Sequence, residues 1–199
     1  RGQHACGFYW TEGNRGVGWA IDAIPPLKGG SGVSIPSPPA IWFPRRKLIA
    51  TPTIEDAERL QGFDAGWTAP AGDTQQGERR RWRLVGNAVS TRMSEWIARR
   101  LSKDLQYYID DKDTELHGHI KWPDAAWGFD GERAACPVSD WPVDHPQEHL
   151  ATFLKHDPVP LSLRATSGFW NRLQKSCLRY DDAFGEALAT HVEKQRIRQ

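Results

Sequence analysis

The segment Thr51-Pro-Thr-Ile-Glu-Asp-Ala-Glu-Arg-Leu-Gln-Gly-Phe63 carries a complete set of helix signals. The Thr53 hydroxyl can accept from the backbone amide of Asp56, and acidic side chains suit the positive first turn of a helix. An apolar face at helical spacing is formed by Ile54, Ala57 and Leu60. Glycine is a common C-terminal stop, and Gly62 follows directly. The segment therefore predicts an amphipathic helix over 53–61.

A second motif, Leu84-Val-Gly-Asn-Ala-Val-Ser90, follows downstream. Residues 64–80 between the two motifs are polar and rich in glycine, which predicts a surface loop. We expect 81–85 to be a short extended piece that ends at Gly86, because glycine interrupts regular structure. A helix is then expected from about Ala88 to Leu101. Its apolar stripe comprises Val89, Met93, Trp96, Ile97 and Leu101.

Taken together, the two motifs resemble the last two conserved blocks of the DNA cytosine-5 methyltransferases. The resemblance covers about residues 15–101 and is strongest at 51–63 and 84–90. Upstream, Arg15-Gly-Val-Gly-Trp19 and Pro25-Pro-Leu-Lys-Gly-Gly-Ser31 are similar to the family stretch that leads out of the target-recognition region. Many members have Pro-Thr where this chain has Pro-Pro, so a hydroxyl that they carry is missing here.

The reaction of that family needs groups that this sequence does not carry. C5 of cytosine takes a methyl group only after a thiolate adds to C6 and an acid supports N3, with the base out of the duplex stack. In the family, a Pro-Cys-Gln loop supplies the thiol, a Glu-Asn-Val segment supplies the acid, and a glycine-rich turn holds S-adenosylmethionine. None of these occurs here, and Cys6, Cys136 and Cys177 are interpreted as ordinary thiols. We predict no catalytic residue in this chain and no methyl transfer by this chain alone.

The resemblance implies that the second motif contributes to the S-adenosylmethionine site. In the family this block returns from the small lobe to the cofactor-binding lobe, and the turn before its helix borders the methionine end of the cofactor. The predicted cofactor-binding residues are therefore Asn87, Ala88 and Val89. Amides at a helix start suit a carboxylate, and an asparagine side chain offers both a donor and an acceptor. The same asparagine is also simply a good N-cap.

The first motif belongs to the DNA-facing lobe of the family, where its arginine, here Arg59, braces the recognition region. Glu55, four residues earlier, offers that arginine an ordinary helix ion pair instead. The residues predicted to bind DNA are Lys28, Gly29, Gly30, Ser31, Arg45, Arg46 and Arg59. Apart from the bracing arginine, we expect these residues to contact phosphates; base readout is not visible in the sequence.

Charge is distributed unevenly along the chain, whose formal net charge is +1. Residues 1–101 carry 14 basic against 9 acidic residues, and residues 102–199 carry 12 against 16. The basic half contains the clusters Arg45-Arg46-Lys47 and Arg79-Arg80-Arg81-x-Arg83. Such clusters can neutralise phosphates, but on charge alone a solvated face is the ordinary interpretation.

The composition is that of a soluble globular protein. Hydrophobic residues make up 39% and charged residues 26%, and no apolar run approaches the roughly 20 residues needed to cross a bilayer. Three widely spaced cysteines do not suggest a disulfide framework, which favours a reducing cytoplasm. No signal peptide opens the chain, and because it begins with Arg1 we expect a fragment or a processed product. We predict a cytoplasmic, nucleoid-associated protein without a membrane partner.

The predicted fold is α/β: the C-terminal portion of a doubly wound S-adenosylmethionine-dependent methyltransferase lobe, a small DNA-facing lobe, and a loop-rich, helix-ended extension. Residues 1–83 are assigned to the small, recognition-proximal region and 84–101 to the helix that returns to the cofactor-binding lobe. The extension is 102–199, irregular over 102–160 and helical over 161–197. The predicted partners are double-stranded DNA and a complementary N-terminal catalytic chain or fragment of the same enzyme.

Two other functions are compatible with the sequence. A stand-alone DNA-binding or specificity subunit would bind DNA without needing the cofactor. A zinc site would draw on residues whose spacings match no standard zinc finger, namely His117, His119, Cys136, His145 and His149. We therefore predict no metal. The target sequence stays open, as does the choice between restriction-modification, phage defence and regulation.

Overall fold

The computed structural model describes residues 4–10, 17–29, 39–72, 74–102, 112–116, 121–138 and 148–197. The chain divides into two compact units, residues 1–96 with 148–199 and residues 97–147. The strands are β1 (Cys6–Trp10), β2 (Val17–Ile21), β3 (Ala40–Phe43), β4 (Leu48–Thr51), β5 (Thr114–Glu115), β6 (Ala126–Phe129), β7 (Glu132–Ala135) and β8 (Val159–Pro160). The helices are α1 (Ile54–Leu60), α2 (Gln75–Asn87), α3 (Thr91–Leu101), α4 (Leu150–Phe153), α5 (Leu163–Lys175) and α6 (Asp182–Ile197). The functional boundaries predicted near residues 83 and 101 stay a prediction.

A five-stranded antiparallel sheet forms the centre of the first unit, in the order β2-β1-β3-β4-β8. Successive side chains of a strand point to opposite faces, and all four residues of β3 are buried, so both faces of the sheet are covered. On one face, Trp42 packs with the aromatic and aliphatic side chains of α5 and α6. On the other face, Ile41 and Phe43 pack with Leu150 of α4.

Helix α1 confirms the helix predicted over 53–61. The Thr53 hydroxyl accepts from the Asp56 N–H at 3.2 Å, and Gly62 follows the helix with a φ of 90°. A left-handed backbone of this kind favours glycine, which explains why the helix ends here. The local signals were sufficient because the cap, the apolar face and the stop all agree.

Helix α2 contradicts the end of the loop expected over 64–80, from Gln75 onward, and the extended piece expected over 81–85. The Thr74 hydroxyl caps it by accepting from the Gly77 N–H at 3.1 Å. Gly77 is buried against the Gly72 backbone, since a Cβ there would lie 2.2 Å from the Gly72 carbonyl oxygen. The buried face of the helix includes Arg81, Trp82 and Val85. The helical spacing of Trp82 and Val85 did not predict a helix because the surrounding residues are charged.

Helix α3 begins later than expected, at Thr91 rather than Ala88. Helix α2 continues through Asn87, so this asparagine is the last residue of α2 and not the N-cap of α3. Ala88 is extended, with a φ of −73° and a ψ of 150°, and separates the two helices. Gly86 lies inside α2, where its lack of a side chain serves a contact described below.

The predicted α/β class is confirmed as a mixture of helices and strands. Every pairing between described strands is antiparallel, including the three-stranded sheet β5-β7-β6 of the second unit. The described residues therefore do not form a doubly wound parallel sheet by themselves. Among the helices that the structure describes, none combines the length and the apolar composition needed to cross a membrane.

Candidate functional site

The two sequence motifs meet at the end of α1. The Gln61 side-chain amide donates to two backbone carbonyl oxygens of the second motif, that of Val85 at 3.1 Å and that of Ala88 at 3.3 Å. The Gln61 carbonyl oxygen in turn accepts from the Thr91 N–H at 2.9 Å. The Thr91 hydroxyl also donates to the Gly62 carbonyl at 2.9 Å. One glutamine thus joins the end of α2 to the start of α3 and fixes the turn between them.

The end of α2 lies directly against the segment that carries Lys28 and Gly29. A Cβ on Gly86 would lie 2.1 Å from the Lys28 carbonyl carbon, and a Cβ on Gly29 would lie 2.2 Å from Asn87 Oδ1. At Gly86 the clash would be with backbone, so a glycine is required there, whereas the Asn87 side chain could turn away from a Cβ at residue 29. Two residues predicted to bind DNA therefore lie beside Asn87, which was predicted to bind the cofactor.

Lys28 and Arg46 each lie over an aromatic ring. The Lys28 Nζ is 4.3 Å from the centre of the Tyr9 ring, and the Arg46 Cζ is 5.5 Å from the centre of the Phe43 ring. Arg46 also forms an exposed ion pair with Asp157 at 3.9 Å. Because solvent screens an exposed pair of this kind, it does not fix the guanidinium in place.

The other predicted DNA-binding residues occupy different places. Arg45 and Arg46 are exposed in a 3-10 turn between β3 and β4. Arg59 lies on α1 and is largely covered. Gly30 and Ser31 lie outside the described residues. Among the described residues of the predicted DNA-binding set, Lys28 and Gly29 thus lie next to the end of α2, whereas the arginines lie in the 3-10 turn and on α1.

Arg59 and Asp56 attach the chain that follows α4 to α1. The Arg59 Nη1 donates to Asp56 Oδ1 at 2.7 Å and to the Phe153 carbonyl at 2.6 Å. The buried Asp56 carboxylate accepts from the backbone N–H groups of Lys155 and His156, at 3.1 and 2.9 Å. Arg59 therefore braces a neighbouring segment of the same unit.

A second buried carboxylate, Glu58, organises the loop between α1 and α2. It accepts from the Thr68 hydroxyl and from two backbone N–H groups of that loop. The Arg81 Nη2 lies 3.3 Å from Glu58 and 3.1 Å from Glu55. Glu55 thus pairs with Arg81, and the helix pair with Arg59 that its spacing offered is replaced by the pair between Arg59 and Asp56.

Both buried carboxylates are held in the charged state. Burial raises the pKa of Glu58, but hydrogen bonds led by those of Thr68 outweigh it and bring that pKa below its ordinary value of 4.5. Burial likewise raises the pKa of Asp56, while the His156 N–H and other donors, Arg59 among them, bring it below its ordinary value of 3.8. These carboxylates therefore hold the first motif in shape and are not proton donors at neutral pH.

Glu58 and Arg81 form a buried pair that was not predicted from the sequence. A signal was present, because Glu58 occupies the apolar face of α1, four residues after Ile54 and beside Ala57. A carboxylate in that position needs a buried partner. The sequence did not reveal which arginine would supply it: Arg81 is buried, whereas the other arginines of the α2 cluster are exposed, namely Arg79, Arg80 and Arg83.

Apolar side chains are exposed around the turn between α2 and α3. Val89 is 66% exposed and Met93 is 55% exposed. Helix α3 buries no residue, although it carries the apolar stripe expected from the sequence. Other exposed apolar residues are Leu84 and Trp96 in the first unit and Ile97 and Leu101 at the start of the second. A helix with an apolar stripe is normally covered on that face.

An aromatic cleft adjoins the same turn. The rings of Phe63 and Trp67 are stacked, with their centres 5.6 Å apart. With Leu84 and Ala88 they help to line a cleft of about 280 Å³. The stacked rings give the cleft a flat, apolar wall beside Ala88, which was predicted to bind the cofactor.

Comparison with known proteins agrees with the motifs. The chain is 46% identical over 192 residues to a Type II methyltransferase, M2.BsuMI, of Bacillus subtilis strain 168. The match covers 95% of this chain and 49% of that protein. No family model and no solved structure matches the chain.

The match extends beyond the two motifs. Because it leaves only a small part of the chain uncovered, most of residues 102–199 must have counterparts in the relative, whereas the motif resemblance ended near residue 101. The chain spans about half the length of the curated relative that it matches. The resemblance predicted from the two motifs is therefore confirmed as that of a methyltransferase fragment, while the cytosine-5 type stays a prediction.

Proposed function

We propose that this chain is the C-terminal part of a DNA cytosine-5 methyltransferase, which helps to complete the S-adenosylmethionine site and to bind double-stranded DNA. A complementary N-terminal part supplies the catalytic cysteine loop and the glycine-rich cofactor turn, so this chain alone transfers no methyl group. The setting that suits such an enzyme is a restriction-modification system, in the cytoplasm with the nucleoid, with phage defence as a consequence.

The observation that carries this proposal is the exposed apolar face of α3, directly after the second motif. Exposure of Val89 and Met93 costs free energy, since burying an apolar side chain of this size contributes about 1.5–3 kcal/mol. The relative is about twice as long as the matched region, so it has a further half that can cover the corresponding helix. In this proposal, the complementary catalytic part packs on the exposed apolar face of α3.

The turn between α2 and α3 is the proposed contact with S-adenosylmethionine. The side chain of Asn87 approaches Gly29, so its role in this proposal is to set the turn. The Ala88 N–H donates to the Val85 carbonyl and the Ala88 carbonyl accepts from Gln61, so Ala88 lies beside the cofactor in this proposal without binding it through its amide. Val89 then presents its backbone N–H to the cofactor carboxylate. The adjoining cleft of about 280 Å³ is smaller than most ligand sites, which run from about 300 to 1,000 Å³, as suits a site shared with a second part of the enzyme.

The proposed DNA contacts are made by cations of the first unit, of which Arg45 and Arg46 are exposed and Lys28 is partly exposed. Lys28, Arg45 and Arg46 bind phosphates, and the aromatic rings under Lys28 and Arg46 orient their charges. Gly29, Gly30 and Ser31 are proposed to contact DNA through their backbone, because glycine lets a backbone approach another surface closely. Arg59 contributes indirectly, by bracing the chain after α4.

A chimaera tests the proposal. This chain replaces the matched half of the Bacillus subtilis relative, and methyl transfer from labelled S-adenosylmethionine to DNA is measured beside the intact relative. We expect labelled 5-methylcytosine from the chimaera and no label in DNA from either half alone.

Two results would contradict the proposal in different ways. Label recovered in N6-methyladenine or N4-methylcytosine would show that the chimaera is a DNA methyltransferase but not one that acts on C5 of cytosine. A folded chimaera that transfers nothing, together with DNA binding by this chain that is indifferent to the cofactor and to the other half, would favour the stand-alone DNA-binding subunit.

A further inference from the structure

His4, Asp22 and His149 come together on the first unit, although 127 residues separate the last two. The Asp22 Oδ2 lies 2.5 Å from the His149 Nδ1 and 3.5 Å from the His4 Nδ1. All three potential ligand atoms lie within 4.8 Å of one another. Two imidazole nitrogens and one carboxylate oxygen are a donor set that proteins use for zinc and other divalent transition metals.

We propose that these three side chains bind a divalent transition-metal ion such as Zn²⁺, with the remaining coordination positions open to water. The site is separate from the methyltransferase function proposed above, because none of its residues belongs to the two motifs. It shares only His149 with the residues that the sequence offered for zinc. Of the others, Cys136 lies in the second unit, and His117, His119 and His145 lie outside the described residues.

One of the distances between ligand atoms already equals that of an assembled site, and the others need small side-chain movements. Metal–ligand bonds of about 2.0–2.2 Å at a tetrahedral angle place two ligand atoms roughly 3.4 Å apart. The His4 Nδ1 already meets this distance from Asp22 Oδ2, at 3.5 Å. The His149 Nδ1, at 2.5 Å, has to draw back by about 0.9 Å, which a small rotation of an exposed imidazole provides.

The backbone holds the ligands together without a metal. Asp22 has a left-handed φ of 54°, and its N–H donates to the carbonyl of Ala5, the neighbour of His4, at 2.8 Å. The Asp22 Oδ1 accepts from the Leu150 N–H at 2.9 Å, which leaves Oδ2 to face both histidines. Ala5 and Leu150 are buried in the same hydrophobic cluster. The residues next to His4 and His149 are therefore anchored beneath the site.

The burial of the carboxylate favours a bound cation. The Asp22 side chain is only 7% exposed, whereas both imidazoles reach solvent. A covered carboxylate needs compensation of its charge, and a metal supplies it while using the histidines as further ligands. The Leu150 N–H is the kind of outer contact that orients a ligating carboxylate. A bound ion would tie together the chain before β1, the turn after β2 and the start of α4.

The test titrates the purified chain with Co²⁺, whose visible absorption reports its ligands, and measures Zn²⁺ retained after dialysis. We expect one ion per chain and a rise in the midpoint of thermal unfolding as free Zn²⁺ increases. The double variant His4→Gln/His149→Gln should lose more than about tenfold in affinity. His156→Gln is the matched control, because His156 is also exposed beside a buried aspartate, and it should bind as the unchanged chain does.

A further variant guards against a loss of folding. Asp22→Asn keeps an oxygen that can accept from the Leu150 N–H and removes the charge, so loss of binding in this folded variant supports the site without changing a histidine. Failure of the unchanged chain to retain Zn²⁺ or Co²⁺ would overturn the proposal. Binding that survives in the folded double variant would overturn it as well, because the ion would then lie elsewhere.

Discussion

Helices α2 and α3 follow one another in the chain, and both carry an apolar stripe, yet they are used in opposite ways. Helix α2 buries Trp82 and Val85 against Ile54 and Ala57 of α1, and its Arg81 turns inward to the buried Glu58. Helix α3 buries nothing, and its Met93 and its neighbour Val89 are exposed. The residue Gln61 binds the turn that separates them.

The difference places α2 in the core of the first unit and supports the proposal that α3 supplies a surface for the complementary part. A buried ion pair that is fully hydrogen-bonded is costly to break, whereas an exposed apolar residue on a helix contributes little to stability. The comparison therefore predicts which substitutions unfold the chain and which leave it folded.

The largest effect is expected from Arg81→Met. The substitution leaves Glu58 buried with less compensation for its charge, so the free energy of unfolding should fall by about 3–5 kcal/mol. The exposed neighbour Arg80→Met is the control and should change it by no more than about 0.5 kcal/mol. Urea unfolding followed by circular dichroism measures both; equal effects would show that Arg81 is not part of the interior.

A smaller loss is expected from Gly86→Ala. The new methyl group would lie 2.1 Å from the Lys28 backbone, and overpacking of this kind costs about 1–3 kcal/mol. Gly168→Ala, within α5 and with open space at its Cβ position, should instead stabilise the chain by about 0.5–1 kcal/mol through helix propensity. The midpoints of thermal unfolding of the two variants show whether each substitution stabilises or destabilises the chain. Stabilisation by both would refute the close approach between Gly86 and Lys28.

Acid should lower the free energy of unfolding, because protonation removes the charge of the two buried carboxylates of α1. The pKa values of Glu58 and Asp56 are lowered in the folded chain, so the unfolded chain binds more protons as the pH falls. The stability they contribute is present above their ordinary values of 4.5 and 3.8 and is lost as the pH falls through the lower, folded values. In the variant Glu58→Gln, the free energy of unfolding, measured by urea unfolding at a series of pH values, should depend less on pH. An unchanged dependence on pH would contradict the lowered pKa of Glu58.

The smallest effect on stability is expected on α3. Met93→Gln removes an apolar side chain that is more exposed than buried, so the free energy of unfolding of the isolated chain should change by no more than about 0.5 kcal/mol. Urea unfolding measures this change. A loss above about 2 kcal/mol would mean that α3 packs within this chain, and the comparison with α2 would no longer hold.

Sequence signals predicted α1 well because they are local: Thr53 caps it and Gly62 stops it. They failed for α2, whose arginines look like a solvated run until the fold turns Arg81 toward Glu58. The proposed role of Asn87 rests on motif order, whereas the sequence did not reveal that its side chain lies against Gly29 from a distant segment. Sheet pairing and the packing of α4 bring the His4, Asp22 and His149 cluster together, so no local pattern could reveal it.

The proposal that α3 is an assembly surface is best tested by the affinity of this chain for a complementary catalytic half. The unmatched half of the Bacillus subtilis relative serves as the partner, with binding measured by calorimetry for Met93→Asp and Ser94→Asp. The two variants add the same charge to adjacent exposed positions of α3, and only the first removes an apolar side chain.

We predict that Met93→Asp weakens binding by at least about tenfold, or roughly 1.4 kcal/mol, and that Ser94→Asp stays within about twofold of the unchanged chain. Equal affinities of the two variants for that half, with binding intact in both, would contradict the assignment of α3 as the surface on which the catalytic part assembles.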